Sequence, residues 1–108
     1  MKKIKIKPLS VNEAWQGKRF KTPEYKIYER ALLYLLPYYE IPKPPFEVRY
    51  EFGLSSPLAD WDNPVKPFQD ILQKKYKFND KDIVRAVVTK TRVEKGDEYV
   101  SFKINTID

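Results

Sequence analysis

Between Phe46 and Phe52 the sequence alternates without a fault, with Phe46, Val48, Tyr50 and Phe52 set against Glu47, Arg49 and Glu51. Such a segment is a half-buried strand, and it commits the chain to a sheet with one apolar face that other elements must cover. Gly53 ends the run. The segments on either side supply the cover. Thr22 followed by Pro23 is an N-cap and first-turn pair, and Tyr28, Ala31, Leu32 and Leu35 recur at helical spacing up to Pro37, which predicts a helix from about residue 23 to 36. Pro37, Pro42, Pro44 and Pro45 then form a stiff connector, not a flexible linker between domains. Beyond Ser55-Ser56-Pro57, the residues Val65, Phe68, Ile71 and Leu72 keep helical spacing until about Lys75. This second helix begins near Pro64, or at Pro67, whose missing amide suits a first turn.

The remaining segments read as strands. Ile83, Val84, Ala86, Val87 and Val88 form a β-branched run that predicts a well-buried strand, and Lys95-Gly96-Asp97 reverses the chain into Tyr99–Ile104, the return strand of a hairpin. At the start, Lys3, Lys5 and Lys7 alternate with Ile4 and Ile6, as in a strand with one positive face; from Pro8 to Lys21 no period is sustained, which predicts a loop. The predicted order is β-α-β-α-β-β. It describes an α+β fold, a single domain over residues 1–108 with a mixed sheet covered by two helices.

Composition narrows the chemistry. The 108 residues include no cysteine and no histidine, which removes disulfides, thiolate nucleophiles, imidazole bases and N- or S-ligated transition metals. Any metal must be held by oxygen, pointing to hard cations such as magnesium, manganese or calcium. Lys and Arg outnumber Asp and Glu by 21 to 15, and the whole excess lies in residues 1–30, with nine basic and three acidic side chains against twelve of each in the rest. A polyanionic partner is one reading and solubility charge the other. The longest apolar stretch, Ala31–Leu36, is far below the roughly 20 residues of a membrane-spanning helix. No signal-peptide core follows Met1, so the cytoplasm is the expected location and a membrane is not an expected partner.

Asp60 and Asp62 bracket Trp61 at the entrance of the second helix. In an extended segment, carboxylates two residues apart converge on one cation; at a helix start, either also serves as an ordinary cap. Lys66 and Asp70, four apart, form an intrahelical pair worth roughly 0.2–0.5 kcal/mol or belong to the same site. Asp80 lies in a second turn expected to pass near the first. Asn12, Trp15, Lys18, Arg19, Phe20 and Lys21 mix amide, aromatic and basic side chains, a combination that suits phosphate contacts and stacking on exposed bases. Lys3, Lys5 and Lys7 either join that grip or guard an edge strand against aggregation.

The run Asp60-Trp61-Asp62-Asn63-Pro64-Val65-Lys66-Pro67-Phe68-Gln69-Asp70-Ile71-Leu72, with Asn79-Asp80 before a valine-rich strand, resembles the RusA family of Holliday-junction resolvases, in particular its phage and prophage versions. That family pairs two aspartates one residue apart, followed by Asn, a Lys four after the second Asp, a further Asp and Leu, and an acidic turn about ten residues on. The segment Val11–Pro23 also looks like the family's N-terminal loop. The resemblance implies a RusA-like fold, metal-binding aspartates at Asp60, Asp62 and Asp80, an active-site lysine at Lys66 and an accessory acidic residue at Asp70. Two departures stand out: Asn79 occupies a position often acidic in relatives, and Leu54–Ala59 lacks the basic cluster that some relatives carry.

The function so implied is a Mg²⁺-dependent endonuclease, with Mn²⁺ as a possible substitute, that resolves four-way DNA junctions by hydrolysing two opposed strands. It would act as a homodimer matched to the junction's two-fold symmetry, in the cytoplasm of a bacterial or phage-infected cell. DNA binding would fall to Lys3, Lys5, Lys7, Asn12, Trp15, Lys18, Arg19, Phe20 and Lys21, with Lys74, Lys75 and Lys77 as a further basic group. Two other readings use the same residues: a non-catalytic module that binds junctions or single strands, and a less selective Mg²⁺ nuclease acting on branched DNA.

Overall fold

The structure is a computed structural model that describes residues 2–16 and 20–107. Its elements are α1 (Val11–Ala14), β1 (Trp15–Gln16), β2 (Phe20–Lys21), α2 (Pro23–Leu35), β3 (Phe46–Leu54), α3 (Val65–Tyr76), β4 (Ile83–Arg92) and β5 (Tyr99–Thr106), with a 3-10 turn at Asp80–Asp82. Among the described residues this makes a small α+β fold with three α-helices, a three-stranded mixed sheet and a two-stranded ribbon.

The alternating segment takes the centre. The sheet order is β4-β3-β5, with β3 parallel to β4 and antiparallel to β5. Val48, Tyr50 and Phe52 are buried against Val100, Phe102 and Ile104 of β5 and against Phe68, Ile71 and Leu72 of α3. From α2, Tyr25, Tyr28 and Leu32 complete the same core, one stripe of a helix that starts as its sequence predicts: Thr22 Oγ1 accepts from the Tyr25 N–H at 3.2 Å, and Pro23 follows. Leu36 is extended ahead of Pro37, where a helical conformation would clash with the proline ring. Pro64 occupies the N-cap of α3, and Pro67 sits in its first turn, where no amide is needed.

Five expectations are corrected. The β3 strand runs through Gly53 to Leu54 instead of ending there. Glycine is at this place because the ring of Tyr99, its register partner on β5, lies across it where a Cβ would be. β4 and β5 do not form a hairpin, since β3 lies between them. The turn at Gly96, with φ of 99°, reverses the chain over the end of β3; a turn signal reports reversal but not the neighbour. β4 is an exposed edge and not a well-buried strand, with Val84 62% exposed. Only Ile83 and Val88 of β4 touch the core, and a β-branched run carries no mark of whether it lies central or at an edge. The N-terminal strand shrinks to one antiparallel bridge between Ile4 and Val100, although Ile4 is buried and Lys3, Lys5 and Lys7 are exposed as the alternation requires. The predicted loop between Pro8 and Lys21 contains α1, closed by a capping box in which Glu13 Oε1 accepts from the Ser10 N–H, and the β1–β2 ribbon. The order therefore departs from β-α-β-α-β-β in the first third. No helix among the described residues is long and apolar enough to cross a membrane.

Candidate active site

The connection from β3 into α3 is held from outside by α1, whose Val11 N–H donates to the Asn63 carbonyl at 2.8 Å. Within it, Asn63 Nδ2 donates to Asp60 Oδ2 at 3.4 Å, and the Val65 N–H donates to the Asp62 carbonyl at 3.0 Å. Capping does not account for the two aspartates. The N-cap position belongs to Pro64, and no side chain caps α3. The two carboxylates also serve different spaces. Asp60 lines a cavity of about 290 Å³ with Lys7, Glu13, Ser55 and Glu98, whereas Asp62 lines a groove of about 630 Å³ between α3 and β4.

Lys66 shares the groove with Asp62. Its Nζ donates to Asp70 Oδ1 at 2.9 Å, so the expected pair one helical turn apart is formed. The hydrogen bond from Asp70 raises the Lys66 pKa above its ordinary value, partial burial opposes the shift, and the charges of Asp70 and Asp80 add to it. The ammonium is a permanent cation at neutral pH.

Asp80 opens the 3-10 turn after α3, where the cap is Asn79: its side-chain oxygen accepts from the Lys81 N–H at 3.0 Å. A cap at position 79 explains an amide there, and it leaves the Asp80 carboxylate free of that duty. The twelve residues of α3 stand between this turn and that of Asp60 and Asp62, and the charge of Asp80 is nonetheless among those acting on Lys66 in the first turn of the helix. An all-oxygen donor set suits a hard cation, yet among the described residues no three carboxylates gather closely enough to hold one.

The basic and aromatic residues of the first third are dispersed. Lys3 Nζ lies 4.6 Å from the centroid of the Tyr99 ring, and Lys3 and Lys5 line a shallow concavity beside β5, the strand opposite β4 in the sheet. Lys7 faces Glu98, a nearly buried carboxylate whose pKa is lowered first by the Ser55 hydroxyl, then by backbone amides, with a smaller contribution from Lys7. Lys21 pairs with Glu29 at 3.3 Å and lies 5.0 Å from the Tyr25 ring centroid; Lys74 joins the same glutamate at 3.3 Å. Asn12 is exposed on α1. Trp15 packs on Tyr25, ring centroids 5.3 Å apart, so it is part of the support of α2. Lys18 and Arg19 lie outside the described residues, and for Phe20 only the backbone, in β2, is described.

The exposed tryptophan is Trp61, at 56%. An indole set between two charged groups reads in sequence as a residue needing burial, and Leu58 three before it and Val65 four after it point the same way, so no sequence signal marks it as exposed. Gln69, on the same groove, also escaped notice because a glutamine at an i+3 position of a helix reads as solvated surface.

No family model matches the chain, and no curated protein shows significant similarity to it.

Proposed function

We propose that this protein is a Mg²⁺-dependent endonuclease acting on four-way DNA junctions. The observation that carries the reading is that Asp62 and Lys66 share one open groove although neither is needed to start or cap α3. A carboxylate and a fixed cation side by side suit the opposite charges of a metal ion and a scissile phosphate. Asp62, in the groove beside Lys66, would contact the ion, with the Asp60 and Asp80 carboxylates turning toward it once metal is bound and Asp70 keeping Lys66 in place. Bound Mg²⁺, or Mn²⁺ in its stead, would supply Lewis acidity for phosphodiester hydrolysis. The Lys66 ammonium would neutralise charge developing on the phosphate. The basic first third supports a polyanionic partner, and a junction cut in two opposed strands calls for a two-fold dimer of a RusA-like fold. Bacterial or phage-infected cytoplasm is the setting this reading implies.

The second reading, a non-catalytic module for branched or single-stranded DNA, is favoured by the described residues gathering no three carboxylates closely enough to hold an ion. Asp60→Asn, Asp62→Asn and Asp80→Asn separate the two. Each should nearly abolish cleavage of a synthetic junction while leaving its binding intact or tighter, because a negative charge facing phosphate is removed. A folded variant that cleaves at the wild-type rate removes that residue from the site, and a wild-type protein that binds junctions without cutting them in Mg²⁺ establishes the second reading.

A further inference from the structure

Trp61 does nothing visible for the fold. Tryptophan contributes more apolar area than any other side chain and is highly buried on average, yet this one leaves 56% of its surface to solvent and stands outside the core cluster. Among the described residues the aromatic rings pack on one another around Phe68 and Phe102 and in the Trp15–Tyr25 pair, and none of these contacts includes it. Its indole forms one wall of the groove of about 630 Å³ whose other lining residues are Asp62, Val65, Lys66, Gln69, Ala86 and Val88. That volume is within the range of about 300–1,000 Å³ typical of small-ligand sites.

The lining describes its occupant. Val65, Ala86 and Val88 make an apolar floor, and the indole offers a flat π face. The Tyr50 hydroxyl donates to Gln69 Oε1 at 3.0 Å, which fixes the side-chain amide and leaves Nε2 as the donor available to a ligand. Lys66 supplies the one cation. Its pair with Asp70 is open to solvent, 56% and 24% exposed, and such pairs exchange readily for a phosphate because they contribute little. A ligand planar and apolar on its faces, hydrogen-bonding along its edge and joined to an anion is a nucleotide. An apolar peptide leaves Gln69 and Lys66 unanswered, and the excess of basic residues in this chain favours the polyanion.

We propose that the Trp61 groove binds one unpaired nucleobase of DNA, stacked on the indole, with Gln69 Nε2 donating to its edge and its phosphate at Lys66. The inference rests on the branched-DNA reading and adds to it the element recognised: a base out of its stack. A base inside a duplex has both faces covered and cannot enter, so the groove selects single strands and points of strand exchange over linear duplex.

The test compares wild type, Trp61→Ala and Trp61→Phe for binding to a single-stranded oligothymidylate and to a duplex of equal length, in EDTA. Stacking contributes about 1–3 kcal/mol per base, so Trp61→Ala should weaken single-strand binding about 5- to 150-fold at low and moderate salt alike, Trp61→Phe should recover most of it, and duplex binding should stay unchanged. In a Trp15→Phe background, where Trp61 is the sole indole of the two in the chain, its fluorescence should be quenched saturably by the oligonucleotide and not by the duplex. Unchanged single-strand affinity in Trp61→Ala overturns the proposal. So does equal quenching by duplex, or emission that shifts with protein concentration alone, which would give the groove to a second copy of the chain. None of these readouts needs catalysis. A protein that cleaves junctions without Trp61 quenching refutes the groove and spares the nuclease, while quenching without cleavage does the reverse.

Discussion

Replacing Lys66 by alanine should leave stability almost untouched and remove cleavage. The stability effect is set by geometry. Lys66 and Asp70 face each other one turn apart at 2.9 Å, both in contact with solvent, and such pairs contribute about 0.2–0.5 kcal/mol. Here the basic residue is the N-terminal partner, the weaker orientation, and it lies in the first turn of α3, where the helix dipole repels a cation. Alanine also has the higher helix propensity, so the net cost is below about 0.5 kcal/mol. An unfolding entropy of about 2.1 cal/mol/K per residue gives about 0.23 kcal/mol/K for 108 residues, and the melting temperature should fall by about 2 °C or less. A charge that acts on a transition state is worth far more, about 2.7–4 kcal/mol, or 10²–10³-fold in rate. Circular-dichroism melts run beside single-turnover cleavage of a four-way junction in Mg²⁺, with protein in excess, read both quantities. Asp70→Asn separates the pair from the ammonium: it should show the same small melting change while keeping most of the cleavage. Because Asp70 raises the Lys66 pKa, the stabilisation from the pair is complete below the ordinary lysine value of 10.5 and is lost as pH rises through the raised one. A Lys66→Ala protein that melts normally and cleaves at the wild-type rate refutes the chemical role. A drop of more than about 6 °C, with cleavage falling in proportion to folded protein, makes Lys66 a structural residue.

Gly53→Ala should cost about 1–3 kcal/mol, or about 4–13 °C, because the new Cβ meets the buried Tyr99 ring, whose hydroxyl donates to Glu51; a melt within 1 °C of wild type would deny that contact. Glu47 accepts from Arg49 at 2.9 Å and from Arg85 at 3.1 Å, which lowers its pKa, Arg85 contributing most. That carboxylate stabilises the protein above its ordinary value of 4.5 and ceases to do so as pH falls through the lowered one, so Glu47→Gln should make the acid-side decline in melting temperature shallower, and identical profiles would remove Glu47 from the balance. Neutralising Lys3, Lys5, Lys7 and Lys21 singly should reduce the slope of log K against log salt for junction binding by roughly 0.9 for each phosphate no longer neutralised. Slopes that stay at the wild-type value would make these lysines guards of the sheet edge.

The sequence made the local elements of this fold legible and concealed how they assemble. Phe46–Phe52 alternates because one face is core, and Thr22-Pro23 starts α2 through a hydrogen bond made within three residues, so both could be read from the chain alone. Ser10 and Glu13 carry a local signal of the same kind, the capping box, which is lost to a search for periodicity because α1 is one turn long. The positions of β4 and β5 on either side of β3 depend on which strand buries most, a comparison between distant segments. Of the candidate site, the Lys66–Asp70 pair was legible from its spacing. How Asp60, Asp62 and Asp80 stand to one another was not, because it depends on the path of the crossover along α3. The exposure of Trp61, against the packing of Trp15 on Tyr25, depends on which indole finds a ring beside it.

The central claim, metal-dependent cutting of branched DNA, is tested most directly by incubating the wild-type protein with a labelled four-way junction and the matching linear duplex across a Mg²⁺ titration, with an EDTA arm and Asp62→Asn alongside. The account predicts paired cuts in opposed strands of the junction, rising with Mg²⁺ and absent in EDTA, little cutting of the duplex, and a variant that binds the junction but does not cut it. Junction binding with no strand cut at any Mg²⁺ concentration would contradict it.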